Sequence, residues 1–349
     1  MFNFNDYDAF FVTHKENKRY LTGFTGSECL VLATKEGTVL ITDGRYNTQT
    51  KQEVYSDVKV IITDTGVSHL EEALKILSSD DIKKIAIESN SITVATLDDI
   101  DSKLSNKEFV RTSAVIEKKR LIKTDEEVEN IKKAIELTDK VYAFVCENIK
   151  PGMTEKEVKL MVDTKHVEFG AQGPSFDTIV ASGPNSAKPH AQPSDRVIEE
   201  GDIVTIDNGC FYNGYVSDMT RTFFVGEPKD EKLIEIHNVV HKAFSAQLEQ
   251  IKPGMTGIEA DKIGRDIIEA HGYGEYFIHG TGHGIGLEIH EAPRLSLVDP
   301  TVLEPGMTVT VEPGIYIEGI GGVRIENDIL ITETGIESLN SSPTSYKIK

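Results

Sequence analysis

The chain has 349 residues, of which 39% are hydrophobic and 27% charged, a composition typical of folded proteins long enough for two domains. Its 57 acidic residues outnumber its 37 basic ones, which gives a formal net charge of −20. Nucleic acids and anionic membrane surfaces are bound mainly through clustered Lys and Arg side chains. We therefore expect neither of them as a partner of this protein.

The three cysteines, Cys29, Cys146 and Cys210, lie far apart and have no C-x-x-C spacing. A disulfide framework or a thiolate zinc site is therefore not expected, and free thiols fit a reducing compartment. The N-terminal residues are acidic and lack the apolar core of a signal peptide. A bilayer-spanning helix needs a run of about 18 apolar residues, and the sequence has none. These features predict a cytoplasmic protein.

Short segments rich in Val and Ile alternate with a helical pattern in the first third of the chain. The segment His69–Leu77 repeats its apolar residues at helical spacing, which predicts a helix with one buried face. Strands are predicted at 8–13, 29–34, 38–42, 58–63 and 84–88. We therefore expect a mixed α/β domain at residues 1–117.

A basic segment at 117–123 is interpreted as the solvated edge of a linker between two domains. Directly after it, Thr124 and Glu127 have the spacing of a capping box, in which two side chains satisfy the first backbone amides of a helix. Apolar residues then recur every three or four positions, which predicts a long amphipathic helix. This helix opens a second domain at residues 124–349.

The second domain contains an internal repeat. The sequence IKPGMT occurs at 149–154 and again at 251–256, and each copy is followed by a Glu at capping-box spacing, Glu157 and Glu259. At nearly the same offset, the segment GDIVTID aligns with GMTVTVE. A repeat of this length is too long for a solenoid. It predicts two duplicated α+β halves related by a pseudo-twofold axis.

Four acidic residues occupy related places in the two halves. Asp207 and Glu312 each end an apolar strand, and a second acid, Asp218 or Glu326, follows eleven or fourteen residues later. That interval is typical of a hairpin, which would bring the two acids of each half side by side. Four neighbouring carboxylates repel one another unless cations neutralise them. The pattern therefore predicts a pair of divalent metal ions.

Histidines cluster in the segment that precedes the second pair of acids. His279, His283 and His290 lie within twelve residues, and glycines alternate with them at 280, 282, 284 and 286. Imidazole among carboxylates favours Mn, Zn, Co or Fe over Ca or Mg. The glycines indicate close backbone approach to a ligand; a dinucleotide loop is disfavoured because no βαβ unit surrounds them. His190 resembles His290 in its place before an acid-bearing strand.

The acids and histidines stand in motifs that resemble one enzyme family. Asp207 in IDNG, Asp218 in SDMTRT, His283 in HGTGHGIG, Glu312 in VEPG and Glu326 in RIEN match, in order, the five metal ligands of the M24 "pita-bread" metallopeptidases. The segments YLTGFTGS at 20–27 and TDGRY at 42–46 resemble the creatinase-type domain of the Xaa-Pro enzymes in that group. The implied fold class is α/β plus α+β, with a creatinase/prolidase-like N-terminal domain followed by a pita-bread catalytic domain.

The resemblance implies a chemistry for these residues. It is hydrolysis of an N-terminal Xaa-Pro bond by a hydroxide that bridges two divalent metals, with Mn favoured over Co, Zn or Fe. Glu312 would also carry the proton to the leaving amine, while His190 and His290 would bind the scissile carbonyl and the developing oxyanion. The substrate-binding residues implied by the family pattern are His279, Arg294, Tyr316 and Arg324.

The resemblance leaves three functions to be distinguished. The YLTGFTGS segment and the short chain favour an Xaa-Pro aminopeptidase, whereas the prolidase-like HEAPR motif at 290–294 favours a strict Xaa-Pro dipeptidase. On balance the sequence favours the aminopeptidase. A non-catalytic binding module with the same fold is a remote alternative, because all five ligand positions are intact. We also expect a homodimer in which the N-terminal domain shapes the active-site mouth.

Overall fold

The computed structural model describes residue 4 and residues 6–347, and the chain divides into two compact units, residues 1–120 and 121–349. Each unit has its own buried apolar clusters. Among the described residues, no helix combines the length and the apolar character that a bilayer span requires.

The first unit is built on a mixed six-stranded sheet with strand order β4-β3-β2-β1-β5-β6. Its strands are β1 (Ala9–Val12), β2 (Leu30–Thr34), β3 (Gly37–Asp43), β4 (Lys59–Thr63), β5 (Lys84–Glu88) and β6 (Glu108–Thr112). Its helices are α1 (Lys15–Thr22), α2 (Asn47–Glu53), α3 (His69–Leu77), α4 (Val94–Lys103) and α5 (Glu117–Arg120). Phe11 and Leu32 pack in one buried cluster, while their chain neighbours Phe10 and Val31 pack in another, so both faces of the central strands are covered.

The predicted elements of this unit are confirmed to within one residue at each end. Helix α3 begins with a capping box between Ser68 and Glu71. Helices α1, α2 and α4 and strand β6 were not predicted. Helices α1 and α2 are mostly polar, and only three residues of α1 and one residue of α2 are buried, so the apolar period that marks a helix is weak.

The interpretation of 117–123 as a solvated linker edge is wrong. Residues Glu117–Arg120 form a short helix, and Arg120 and Lys123 are both buried. The guanidinium of Arg120 donates to Asn17 Oδ1 at 2.9 Å, and Lys123 Nζ lies 2.7 Å from Glu291 Oε1. Buried cations need such partners. A run of basic residues does not reveal these partners, because they lie far away in the sequence.

The second unit is an α+β domain. Its helices are α6 (Asp125–Asn148), α7 (Glu155–Glu168), α8 (Glu231–Gln250) and α9 (Gly257–Ala270). Its first strands are β7 (Gly173–Pro174), β8 (Ile179–Ser182), β9 (Asp202–Asn208), β10 (Cys210–Tyr212), β11 (Tyr215–Val216) and β12 (Met219–Val225). The later strands are β13 (Gly282–Gly284), β14 (Glu291–Leu295), β15 (Thr308–Val311), β16 (Gly314–Ile317), β17 (Gly321–Arg324), β18 (Asn327–Ile331) and β19 (Ile336–Ser338).

The structure repeats where the sequence does. The predicted capping boxes begin α6, α7 and α9, at Thr124, Thr154 and Thr256. The last two threonines also form equivalent isolated bridges, Thr154 to Val197 and Thr256 to Val302. Both predicted hairpins form: β9 pairs antiparallel with β12, and β15 with β18. Each hairpin carries one acid at the end of its first strand and one just before its second.

Candidate active site

The five predicted metal-ligand side chains line one cavity of about 430 Å³ in the second unit. Strand β9 supplies Asp207, and Asp218 directly precedes β12. Strand β13 supplies His283, Glu312 directly follows β15, and Glu326 directly precedes β18. Because all five positions lie on or next to paired strands, the sheets fix the spacing of the side chains.

The ligand atoms converge around His283. Its Nε2 lies 3.6 Å from Asp218 Oδ2 and 3.5 Å from Glu312 Oε1. Asp218, His283 and Glu326 each offer one ligand atom, and these three atoms lie within 4.8 Å of one another. A single cation placed between them could therefore contact all three residues.

Two observations show that this donor set fits a divalent metal. His283 Nδ1 lies 3.1 Å from the carbonyl oxygen of Gly284, which can only accept, so Nδ1 carries the proton and Nε2 presents its lone pair to the acids. Among the described residues, the buried Oδ1 atoms of Asp207 and Asp218 have no hydrogen-bond partner. Buried polar atoms are normally satisfied, so these oxygens have the character of metal ligands.

Burial and crowding shift the proton affinities of the site. Burial and the neighbouring Glu326 carboxylate raise the pKa of Asp218 well above its usual range. Burial likewise raises the pKa of Glu312 to about 7. Burial lowers the pKa of His283 to about 3, which keeps its imidazole neutral. A bound divalent cation would favour the ionised carboxylates and the neutral imidazole, which is the state that ligands need.

Arg324 and Tyr316, two of the predicted substrate-binding residues, lie mainly behind the proposed metal ligands. Arg324 is buried: its Nη2 lies 2.6 Å from Asp207 Oδ2, and its Nη1 donates to the Tyr316 hydroxyl at 2.8 Å. That hydroxyl lies 2.9 Å from His279 Nε2. Since His279 Nδ1 donates to the carbonyl of Gly280, its Nε2 accepts from Tyr316. The chain Asp207–Arg324–Tyr316–His279 therefore fixes the orientation of the His279 ring, which lines the cavity.

The remaining predicted residues also line the cavity. His190 comes from the loop after β8, His290 directly precedes β14, and Arg294 lies within β14. The rings of His290 and His283 are in edge contact, with centroids 4.4 Å apart. Burial lowers the pKa of His290, so near neutral pH its imidazole is uncharged. The structure thus brings together every predicted site residue except Tyr316, which contacts two of them from behind.

Some residues that shape the site were not predicted. Thr220 Oγ1 donates to Glu326 Oε2 at 2.6 Å, and Asp328 Oδ2 accepts from the backbone amide of Asp218 at 3.0 Å. Thr220 stands inside the recognised motif SDMTRT, and Asp328 directly follows the motif RIEN. Asp328 could have been predicted by the same pattern as Asp207, because both are acids within an apolar strand. Thr220 had no such pattern, because a Thr in a strand is ordinary.

Two of the glycines around His283 are also required by strand packing. A Cβ on Gly282 would lie 2.0 Å from the carbonyl oxygen of Thr310, and one on Gly284 would lie 2.2 Å from that of Ala292. Such distances are far inside van der Waals contact. These two glycines therefore let β13 pack closely between its neighbouring strands. Gly280 and Gly282 also line the cavity, so the approach of this segment to a ligand stays a prediction.

The fold and the site are those of a metal-dependent peptidase. The chain belongs to metallopeptidase family M24, whose model matches residues 129–333, and the model of the creatinase/prolidase N-terminal domain matches residues 3–122. The predicted family and fold class are confirmed.

The chain is similar over nearly its whole length to several known proteins. It is 41% identical to an Xaa-Pro dipeptidase of Pyrococcus furiosus, covering 97% of this chain and 94% of the relative. A solved Xaa-Pro dipeptidase from Bacillus anthracis is 44% identical, with a TM-score of 0.93 and coverage of 97% and 94%. An X-Pro aminopeptidase from Thermotoga maritima is 38% identical, with a TM-score of 0.91 and coverage of 97% for each chain.

Proposed function

We propose that the protein is a metal-dependent exopeptidase that hydrolyses the Xaa-Pro bond of short peptides. The observation that carries the proposal is the convergence of Asp218, His283 and Glu326 in a cavity that three further histidines line. The names of the similar proteins support the Xaa-Pro specificity. A bond to proline has no N–H, so a site for it needs no acceptor for that amide.

We propose that two divalent ions, with Mn favoured, bind to this site. Bound divalent ions lower the pKa of a coordinated water and polarise a carbonyl oxygen. The residues that would hold them are Asp207, Asp218, His283, Glu312 and Glu326. Both hard oxygen and imidazole donors are present, a combination that suits Mn, Co, Zn or Fe.

Glu312 is the acid best placed to move a proton. Its side chain is 17% exposed, against 7% for Asp218 and 12% for Asp207, so it faces the cavity more than they do. In our proposal it takes the proton of the attacking water and delivers it to the prolyl nitrogen. His190 and His290, one from each half, donate hydrogen bonds to the scissile carbonyl and to the oxyanion that develops from it.

The cavity offers apolar and cationic groups for the rest of the substrate. Phe176, Ile179 and Ile289 line it and could contact a prolyl ring, with His279 held in place beside them. Arg294 also lines it, and a guanidinium pairs well with a free carboxylate. A dipeptide ends in a carboxylate directly after the proline, so Arg294 favours the dipeptidase. The Thermotoga maritima relative favours the aminopeptidase as the second candidate.

The test uses purified protein that has been stripped of metal and reloaded separately with Mn, Co, Zn or Fe. The substrates are an Xaa-Pro dipeptide, the corresponding Xaa-Pro tripeptide and an Xaa-Ala dipeptide. Metal-dependent cleavage of the first alone supports a dipeptidase, and cleavage of both proline peptides supports an aminopeptidase. Equal cleavage of the Xaa-Ala control would overturn the specificity.

We further propose the predicted domain bounds, 1–117 and 124–349, a cytoplasmic location and a homodimer. The free thiols and the acidic composition support the location. The dimer is tested by light scattering on the full chain, where a particle of 38.6 kDa would contradict it and twice that mass would support it.

A further inference from the structure

A buried carboxylate lies at the start of helix α7. Glu155 is the first residue of that helix, and its side chain has no exposure to solvent. Its Oε1 accepts from the backbone amide of Ser182 at 2.7 Å and from the Ser182 hydroxyl at 2.8 Å. Its Oε2 accepts from the backbone amide of Ser194 at 2.9 Å and from the Ser194 hydroxyl at 2.6 Å. One side chain therefore binds two segments that are distant in sequence.

These two segments are the ends of the loop that carries His190. Ser182 ends β8, and Ser194 lies where the chain returns to α7, with its carbonyl accepting from the backbone amide of Lys156 at 3.2 Å. Inside the loop, Asn185 Nδ2 donates to both carboxylate oxygens of Glu155, at 3.1 and 3.2 Å. The loop is thus closed at its base by this carboxylate, together with Arg196, whose Nη1 donates to the Ser182 hydroxyl at 2.6 Å.

The contacts of Glu155 are not a requirement of the duplicated scaffold. In the second half, the position after the helix cap is Gly257, where a Cβ would lie 2.1 Å from the carbonyl oxygen of Arg294. That half holds the segment after His290 by direct backbone contact. Nor does α7 need Glu155 to begin, since Thr154 and Glu157 already form its capping box. The buried acid therefore requires an explanation of its own.

We propose that Glu155 is a positioning residue that holds His190 in its place at the wall of the cavity. The inference rests on the proposed function, in which His190 binds the scissile carbonyl. Only a carboxylate can bind both Ser182 and Ser194 in this way, because each of its two oxygens accepts from a backbone amide. In Glu155→Gln, the side-chain NH₂ would have to face one of these backbone N–H groups, which it cannot accept from, so the contact to either Ser182 or Ser194 would be lost.

The kinetic test compares Glu155→Gln with Glu157→Gln, an exposed acid of the same helix turn that only caps it. We expect E155Q to lower kcat for an Xaa-Pro dipeptide on the order of tenfold to a hundredfold, with bound Mn²⁺ unchanged, because small misplacements of catalytic groups have effects of that size. E157Q should keep kcat within about twofold. A kcat of E155Q equal to that of the parent would overturn the proposal.

A double-mutant cycle then asks whether the effect passes through His190. In a His190→Ala background, E155Q should change kcat by less than about twofold, because the group that it positions is already absent. If E155Q lowers kcat by the same factor in both backgrounds, Glu155 acts elsewhere and the proposal fails.

Hydrogen exchange of residues 183–194 tests the same contact without activity. E155Q should exchange faster there than the parent and E157Q, while α7 and β9 keep their rates. If E155Q does not fold, Ser194→Ala removes the 2.6 Å bond to Glu155 and the acceptor of the Arg196 amide, but it keeps the backbone contact of Ser194 to Glu155. It should have a smaller effect in the same direction. Unchanged exchange in both variants would overturn the positioning role. If the parent protein is inactive but E155Q still exchanges faster at residues 183–194, the contact of Glu155 is supported and the proposed function is contradicted.

Discussion

Thr220 and Glu326 are joined across the two halves of the catalytic domain by a hydrogen bond of 2.6 Å. Thr220 stands opposite Asp207 in the register of β9 and β12, and its Oγ1 also accepts from Arg324 Nε at 3.0 Å. Glu326 repeats the contact in the main chain, where its amide donates to the Thr220 carbonyl at 3.0 Å. One hydroxyl therefore orients a carboxylate of the other half.

Replacing Thr220 by Val keeps the shape of the side chain but removes this hydroxyl. We expect Mn²⁺ affinity to fall about 10- to 100-fold, as is typical for partners of metal ligands, measured by calorimetric titration of stripped protein. Thr205→Val is the control, because its hydroxyl bonds to Thr222 in the same sheet, at 2.9 Å, and to no metal-ligand candidate among the described residues. Equal affinity in the Thr220 variant and the parent would contradict the role.

If His190 and His290 act in the transition state as proposed, removal of either one should separate catalysis from metal binding. In His190→Ala or His290→Ala, we expect kcat to fall on the order of 10²–10³-fold, because each removes a hydrogen bond to the developing oxyanion. Metal content, measured by elemental analysis, should stay at the parent level. Loss of metal in parallel with activity in His290→Ala would identify this residue as a ligand instead.

The Arg294 side chain should matter for dipeptides more than for longer peptides. In Arg294→Met we expect KM for an Xaa-Pro dipeptide to rise about 10- to 100-fold, since a hydrogen bond to a charged group contributes about 1.5–3 kcal/mol. KM for the matching tripeptide amide, which has no free carboxylate, serves as the control and should change little. An equal rise for both substrates would mean that Arg294 does not bind the carboxylate.

The buried pair of Lys123 and Glu291 predicts a large loss of stability for a single replacement. Their side chains are 2% and 7% exposed, with 2.7 Å between Nζ and Oε1. In Lys123→Met, Glu291 loses its ion pair with Lys123, and breaking a buried pair should lower the free energy of unfolding by about 3–5 kcal/mol, measured in urea. Lys123→Met combined with Glu291→Gln should recover much of that loss. A stable single variant would show that the pair contributes little.

His237 predicts a specific acid sensitivity. Burial lowers its pKa from 6.5 to about 4, and its Nε2 lies 3.0 Å from the carbonyl of Thr222. As the pH falls below about 6.5, the unfolded chain takes up this proton before the folded chain does, so stability is lost down to about pH 4.

The shift corresponds to about 3 kcal/mol, and His237→Gln should lose that much less between pH 7 and pH 4 in urea unfolding of stripped protein. His271→Gln, which changes an exposed ring, is the control and should follow the parent curve. Parallel curves for the parent and His237→Gln would contradict the assignment.

Local patterns predicted the elements that carry the site. The capping boxes at Thr154 and Thr256 and the two acid-bearing hairpins needed only short-range signals, namely residue spacing and strand alternation. The repeat then related the two halves, because a duplicated sequence folds into a duplicated structure.

Interactions between residues that are distant in the sequence could not be predicted from such local patterns. The partners of Glu155 lie 27 and 39 residues away, and a Glu after a helix cap looks like an ordinary first-turn acid. The packing role of the glycines of β13 was not predicted for a related reason. They face backbone carbonyls of Thr310 and Ala292, and such a close approach depends on how strands pair and not on the segment itself.

The division of the ligands between two hairpins also affects how the protein is made. Asp207 and Asp218 leave the ribosome roughly a hundred residues before Glu312 and Glu326, a delay of about 5–20 s at ordinary rates of synthesis. During that interval the first hairpin lacks the Thr220 contact to Glu326 and the Arg324 contact to Asp207. The full set of proposed metal ligands is therefore assembled only in the last stage of folding, after the second hairpin has docked.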